Sequence, residues 1–151
     1  MAGRFRPALL VALLALAAPA AVPSPAAVAA VPQSYSITAV ATGLSIPWDV
    51  TWAGDVMLFN ERAGRVWSKR AGGPAQRVDL PLPRLYVNSE GGLLGMVADP
   101  DAATNGYFYT CLSVAKGSGA ASDVQVWKWR LTSDTTAEKV RVLVKGIVIG
   151  H

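Results

Sequence analysis

The chain has 151 residues, 52% of them hydrophobic and 16% charged, with a formal net charge of +4 and a single cysteine. One cysteine excludes an internal disulfide framework. The basic residues Arg62, Arg65, Lys69, Arg70, Arg77 and Arg84 are spread along the chain, whereas a polyanion-binding surface gathers them in one patch, so nucleic acid is not an expected partner.

From the N-terminus, Arg4 and Arg6 precede an unbroken apolar run from Ala8 to Ala18, and Ala27-Val28-Ala29 makes a small-x-small cleavage site. That order predicts a secretory signal peptide over residues 1–29 and a secreted protein, extracellular or periplasmic. A membrane anchor needs about 20 apolar residues. This run is shorter and Pro19, Pro23 and Pro25 follow it, so no stable membrane insertion is expected after cleavage. Without the leader the formal charge falls to +2, and about 120 residues remain, enough for one modest domain.

The next residues read as short strands divided by Gly, Pro, Asn and Asp. The runs are Ser36 to Val40, Trp48 to Trp52, Val56 to Phe59, Arg65 to Lys69 and, more weakly, Gln76 to Leu80. Aromatic and β-branched residues alternate with polar ones, as strands with one buried face require. Ala53-Gly54-Asp55 and Ala63-Gly64 are compact enough for hairpin turns. A loop from Pro81 to Gly92 follows. Then the pattern recurs as Leu93 to Ala98, Tyr107 to Ser113, Val124 to Leu131 and Lys139 to Val144, with Asp99-Pro100-Asp101 to Asn105-Gly106 as a turn. No window carries a helical stripe. Cys111, inside the second of these runs, reads as a small buried hydrophobe with no basic neighbour to activate it.

The two groups of four strands are offset by about 45 residues, the spacing of a propeller blade. The expected fold is therefore all-β: roughly the first two blades of a β-propeller. Two blades alone leave sheet faces and ladder groups uncovered, and the chain ends on the apolar stretch Gly146-Ile147-Val148-Ile149-Gly150-His151. Residues 30–151 are thus expected to be a truncated N-terminal part of a larger ring.

Three motifs in order carry a family resemblance: Gly43-Leu44-Ser45-Ile46-Pro47-Trp48-Asp49, Asn60-Glu61-Arg62-Ala63-Gly64-Arg65-Val66, and Glu90-Gly91-Gly92-Leu93-Leu94-Gly95-Met96 with Asp99-Pro100-Asp101. Followed by Asn105-Gly106-Tyr107-Phe108-Tyr109, they resemble the start of the soluble glucose/sorbosone (aldose sugar) dehydrogenases. The resemblance implies a six-bladed propeller that holds pyrroloquinoline quinone (PQQ) near its axis. It implies oxidation of an aldose at C1, a histidine base, a calcium ion bridging the quinone and bound by later blades, and a separate electron acceptor. Histidine suits a base because its pKa lies near neutrality.

In that family the base follows a turn after the second blade. The matching turn begins here at Gly146, with Val148 in place of the usual proline, which places the base about two residues past His151 by family spacing. His151, the only histidine, is then either the base's neighbour or the base itself, or merely exposed. Glu90 stands where glucose-specific members carry a glutamine that lines the sugar and quinone site. Its carboxylate could accept hydrogen bonds from sugar hydroxyls, stand one layer behind them, or be a polar loop residue. Glu61, Arg62, Trp48 and Asp49 read as framework, with tryptophan filling core between blades. No His cluster, Cys pair or Asp-rich calcium loop appears. A secreted propeller that binds without catalysis and a small secreted β-sandwich stay open as alternatives. The piece alone is expected to be inactive.

Overall fold

A computed structural model describes residues 34–148. The chain divides into two compact units, Met1–Ile37 and Thr38–His151. Of the first, only residues 34–37 are described; they are exposed and carry no strand. The expected leader, at residues 1–29, and His151 both lie outside the described residues.

Among its described residues the second unit holds eight strands and one short helix: β1 (Pro47–Ala53), β2 (Val56–Glu61), β3 (Arg65–Lys69), β4 (Gln76–Val78), β5 (Leu93–Ala98), α1 (Ala102–Asn105), β6 (Tyr107–Ala115), β7 (Ala121–Ser133) and β8 (Thr136–Ile147). They form two four-stranded antiparallel sheets, β1-β2-β3-β4 and β5-β6-β7-β8, each a meander in chain order. The all-β expectation and the repeat of two blades hold. The expected strand at Ser36 to Val40 does not form. Its β-type composition finds no partner, because β1 pairs on one side only, with β2. Strand propensity without a ladder is a weak signal. The turn after β5 closes into α1, a single helical turn ended by Gly106 in the left-handed conformation.

Alternation decides which face each sheet buries. In the first sheet Val56, Leu58, Val66 and Val78 point one way and are at most 3% exposed. They meet Leu93, Met96, Phe108, Leu112, Trp127 and Trp129 of the second sheet in one core. Each fully buried side chain of this kind contributes about 1.5–3 kcal/mol relative to exposure, so the contact between the sheets supplies much of the drive to fold. Trp129 is wholly buried, stacks at 6.5 Å on Phe108, and donates its indole N–H to Thr110 Oγ1 at 2.8 Å.

Polar side chains stitch the same interface. Asp49 Oδ2 accepts the Met96 N–H at 2.7 Å, Thr51 Oγ1 accepts that of Ala98 at 3.0 Å, and Asn60 Nδ2 donates to the Leu94 carbonyl at 2.7 Å. At the other side of the interface Arg70 grips Asp134 through Nε at 2.7 Å and Nη2 at 2.8 Å, and reaches Asp55 at 2.5 Å. Asp79 and Thr136 form a parallel bridge nearby.

The opposite face of the first sheet carries Trp48, Val50, Trp52, Met57, Phe59 and Trp67. Phe59 and Trp67 stack across β2 and β3 at 6.5 Å, the same separation as Phe108 and Trp129. Trp48 and Trp52 are 40% and 59% exposed, so these two do not fill the core between the two described sheets. The reason is which face they occupy: no described sheet covers it. Cys111 is likewise half-buried, on the outward face of the second sheet.

Candidate functional site

One end of both sheets gathers the loops that matter. The β2–β3 turn at residues 62–64, the long β4–β5 connection, the β6–β7 turn and the end of β8 all lie there, because each hairpin reverses the chain. The β4–β5 connection is tied down along its length. Tyr86 N–H donates to the Ser113 carbonyl at 2.8 Å, Ala115 N–H to that of Arg84 at 2.8 Å, and Leu85 bridges Val114.

The last part of that connection, Asn88-Ser89-Glu90-Gly91-Gly92, is tightly shaped. Asn88 Oδ1 accepts the Ser89 N–H at 2.8 Å, and the Asn88 carbonyl accepts the Gly91 N–H at 2.7 Å. Ser89 adopts a left-handed φ of 47°, which costs a non-glycine residue about 1–2 kcal/mol. A Cβ at Gly91 would come within 2.6 Å of the Tyr86 carbonyl, and one at Gly92 within 2.3 Å of the Arg62 carbonyl. These glycines are required because neighbouring backbone occupies the side-chain space. Glu90, carried on this hydrogen-bonded turn, is exposed.

Arg62 is the hub of this end. Its N–H donates to the Ile46 carbonyl at 3.0 Å and its carbonyl accepts the Leu93 N–H at 2.8 Å. Its guanidinium Nη1 donates to the Ser89 carbonyl, and its buried Nε has no protein partner. Ile46 and Ser89 are the two non-glycine residues with positive φ among those described. Both therefore hang on Arg62. Beside it, Glu61 is fully buried. It accepts from Trp67 Nε1 at 2.9 Å and from Ser45 N–H at 3.1 Å, and pairs with Arg65.

The three motifs singled out in the sequence thus meet in space: Asp49 holds Met96, Asn60 holds Leu94, and Arg62 holds Ile46, Ser89 and Leu93. What the sequence did not reveal was the reach of Arg62 to a loop 27 residues away. The Asn-Glu-Arg motif was its only trace. At the other end, the Tyr109 hydroxyl and Asn105 amide hydrogen-bond Asp99 and hold its carboxyl below the usual range. Arg70 does the same for Asp134. Burial pushes the Cys111 thiol up, away from the thiolate needed for reactivity.

Against known families, residues 44–148 match the glucose/sorbosone dehydrogenase model. The chain belongs to the glucose/sorbosone dehydrogenase family. A structure from Thermus thermophilus described as a putative oxidoreductase (glucose dehydrogenase) is 29% identical at a TM-score of 0.59, covering 70% of this chain and 30% of that one. The apo soluble aldose sugar dehydrogenase of Escherichia coli is 24% identical at 0.56, covering 68% and 30%. The PQQ-bound aldose sugar dehydrogenase of Streptomyces coelicolor is 23% identical at 0.56, covering 74% and 33%. No curated protein matches the chain. This glucose/sorbosone dehydrogenase family chain spans about a third of the length of these solved relatives, and its sheets are two blades of their propeller.

Whether a quinone or a calcium ion, which the family resemblance implies, could be held here turns on few of the described residues. At the loop end they offer the Glu90 carboxylate and the Arg62 guanidinium. Among the described residues no group of three His, Cys, Asp or Glu converges as a metal site, so they do not by themselves make a calcium cage. Among them, too, no helix is long and apolar enough to cross a membrane.

Proposed function

We propose that this chain supplies the first two blades of a secreted, six-bladed, quinone-dependent dehydrogenase that oxidises aldose sugars at C1. The observation that carries this is the family match over residues 44–148, joined to a hydrogen-bonded turn that holds Glu90 exposed at the loop end of both sheets. A leader over residues 1–29 would export it. PQQ, when bound, supplies the two-electron acceptor, and a separate acceptor reoxidises it.

Glu90 is the residue of this chain placed toward sugar. A carboxylate on a fixed turn accepts hydrogen bonds from two hydroxyls without reorganising, and charge-assisted bonds of that kind are stronger than neutral ones. The histidine base stands just past His151, or is His151 itself. Calcium ligands and most quinone contacts come from the blades that follow, so the two blades alone do not turn over.

The test is to express the reading frame with whatever follows His151, load it with PQQ and calcium, and assay aldoses with a dye acceptor. Dye reduction is expected from the longer protein and none from residues 1–151. A longer product that folds, binds sugar and reduces no dye would establish the non-catalytic binding module instead. Turnover by the 151-residue chain would refute the placement of the base and calcium ligands.

A further inference from the structure

We infer that Arg62 is a positioning residue for the sugar site: it latches the Ser89 carbonyl and thereby sets where the Glu90 carboxylate stands. Three observations converge on it. First, Arg62 contacts three separate segments, through its N–H to Ile46, its carbonyl to Leu93 and its guanidinium to Ser89. Second, the residues it holds, Ile46 and Ser89, are the two non-glycine positions in left-handed backbone among the described residues. Such conformations persist only where surrounding structure over-determines them. Third, Gly92 packs so closely on Arg62 that a Cβ would lie 2.6 Å from its Cγ, which leaves the arginine stem and the Glu90 turn no room to shift independently.

The chemistry favours arginine. Its planar fork presents several donors in a fixed direction and stays charged at any working pH. Donation from Nη1 to a carbonyl one residue before Glu90 pins the peptide that orients that carboxylate. Without the guanidinium, Ser89 loses the contact that offsets its unfavourable φ and relaxes toward extended backbone. That rotation swings Glu90 while the Arg62 N–H and carbonyl bonds, which any residue can make, stay in place. The defect is thus confined to the turn.

The role toward sugar rests on the dehydrogenase function proposed above, so the test separates the two. In the ring-complete protein loaded with PQQ and calcium, R62A is expected to raise the KM for aldose at least about tenfold, the scale of loss that follows a displaced positioning group. Its kcat should change by less than about twofold, since removed ground-state contacts act on KM. R62K, which keeps one charged donor, should recover part of the loss. The deciding readout is the cycle with E90A: in that background R62A should add little further loss, because coupled residues are not additive. Equal KM effects of R62A in both backgrounds would overturn the inference. Hydrogen exchange of the peptide spanning residues 86–92, measured on the same proteins without substrate, should quicken in R62A and be partly restored in R62K. Unchanged exchange would overturn the latch whether or not the protein turns over. A wild-type protein with no dye reduction, but with quickened exchange in R62A, would sink the dehydrogenase function and leave the latch standing.

Discussion

The first sheet presents Trp48 and Trp52 to solvent at 40% and 59% exposure, with Val50 at 46%. A tryptophan has about 150–250 Å² to bury, so the two indoles together expose on the order of 200 Å². At about 25 cal/mol per Å², covering them is worth about 5 kcal/mol. That figure falls within the rough range of 4–15 kcal/mol that association costs. The chain alone should therefore be a concentration-dependent self-associating species, sticky but not a tight oligomer. Trp52→Lys removes the more exposed indole, about 3 kcal/mol by the same area rule, or about a hundredfold in the association constant. Light scattering after size exclusion, over a concentration series, measures this directly, with binding of a hydrophobic dye as the parallel readout. The wild-type chain should shift to larger mass as concentration rises and W52K should not. A monodisperse wild-type monomer that binds no dye, or identical curves for the two proteins, would refute the view that this face awaits another sheet.

Trp129→Ala should destabilise the chain by about 3–5 kcal/mol, read as a lower urea midpoint, while Trp129→Phe loses less because a ring remains to stack on Phe108, although the bond to Thr110 and part of the buried ring volume go. Glu61→Ala removes a fully buried acceptor of Ser45, Trp67 and Arg65; leaving the Ser45 and Trp67 N–H groups without it costs about 1–3 kcal/mol, again measured by urea denaturation. Asp134 has its folded pKa lowered by Arg70, so its contribution is present above the ordinary carboxylate pKa of about 3.9 and is lost as pH falls through the folded value. In Asp134→Asn the urea midpoint should therefore fall less steeply as pH drops below the ordinary carboxylate pKa of about 3.9, and equal slopes in the two proteins would contradict the pairing.

The strands of both sheets were legible in the residues themselves. Alternation at Val66-Trp67-Ser68-Lys69 and Trp127-Lys128-Trp129-Arg130 writes one buried and one more open face, and glycine and asparagine mark the reversals. Ser36 to Val40 has the same composition, yet no strand forms. A ladder needs a neighbour, and local sequence cannot say whether one exists. Nor could local sequence tell Trp48 and Trp52, which are exposed, from Trp127 and Trp129, which are buried. All four occupy strand positions of similar type.

The candidate site divides in the same way. Glu90 stood out through the motif that surrounds it, and its glycines announced a crowded turn. Arg62 read as framework because its meaning depends on bonds to Ile46, Ser89 and Leu93, which lie 16 to 31 residues away. The sequence by itself determined the all-β pattern, the blade repeat and the family, since periodicity and motif order are properties of neighbouring residues. Only the tertiary structure decided which sheet faces meet and which arginine fixes the turn, because those follow from contacts between segments that folding brings together.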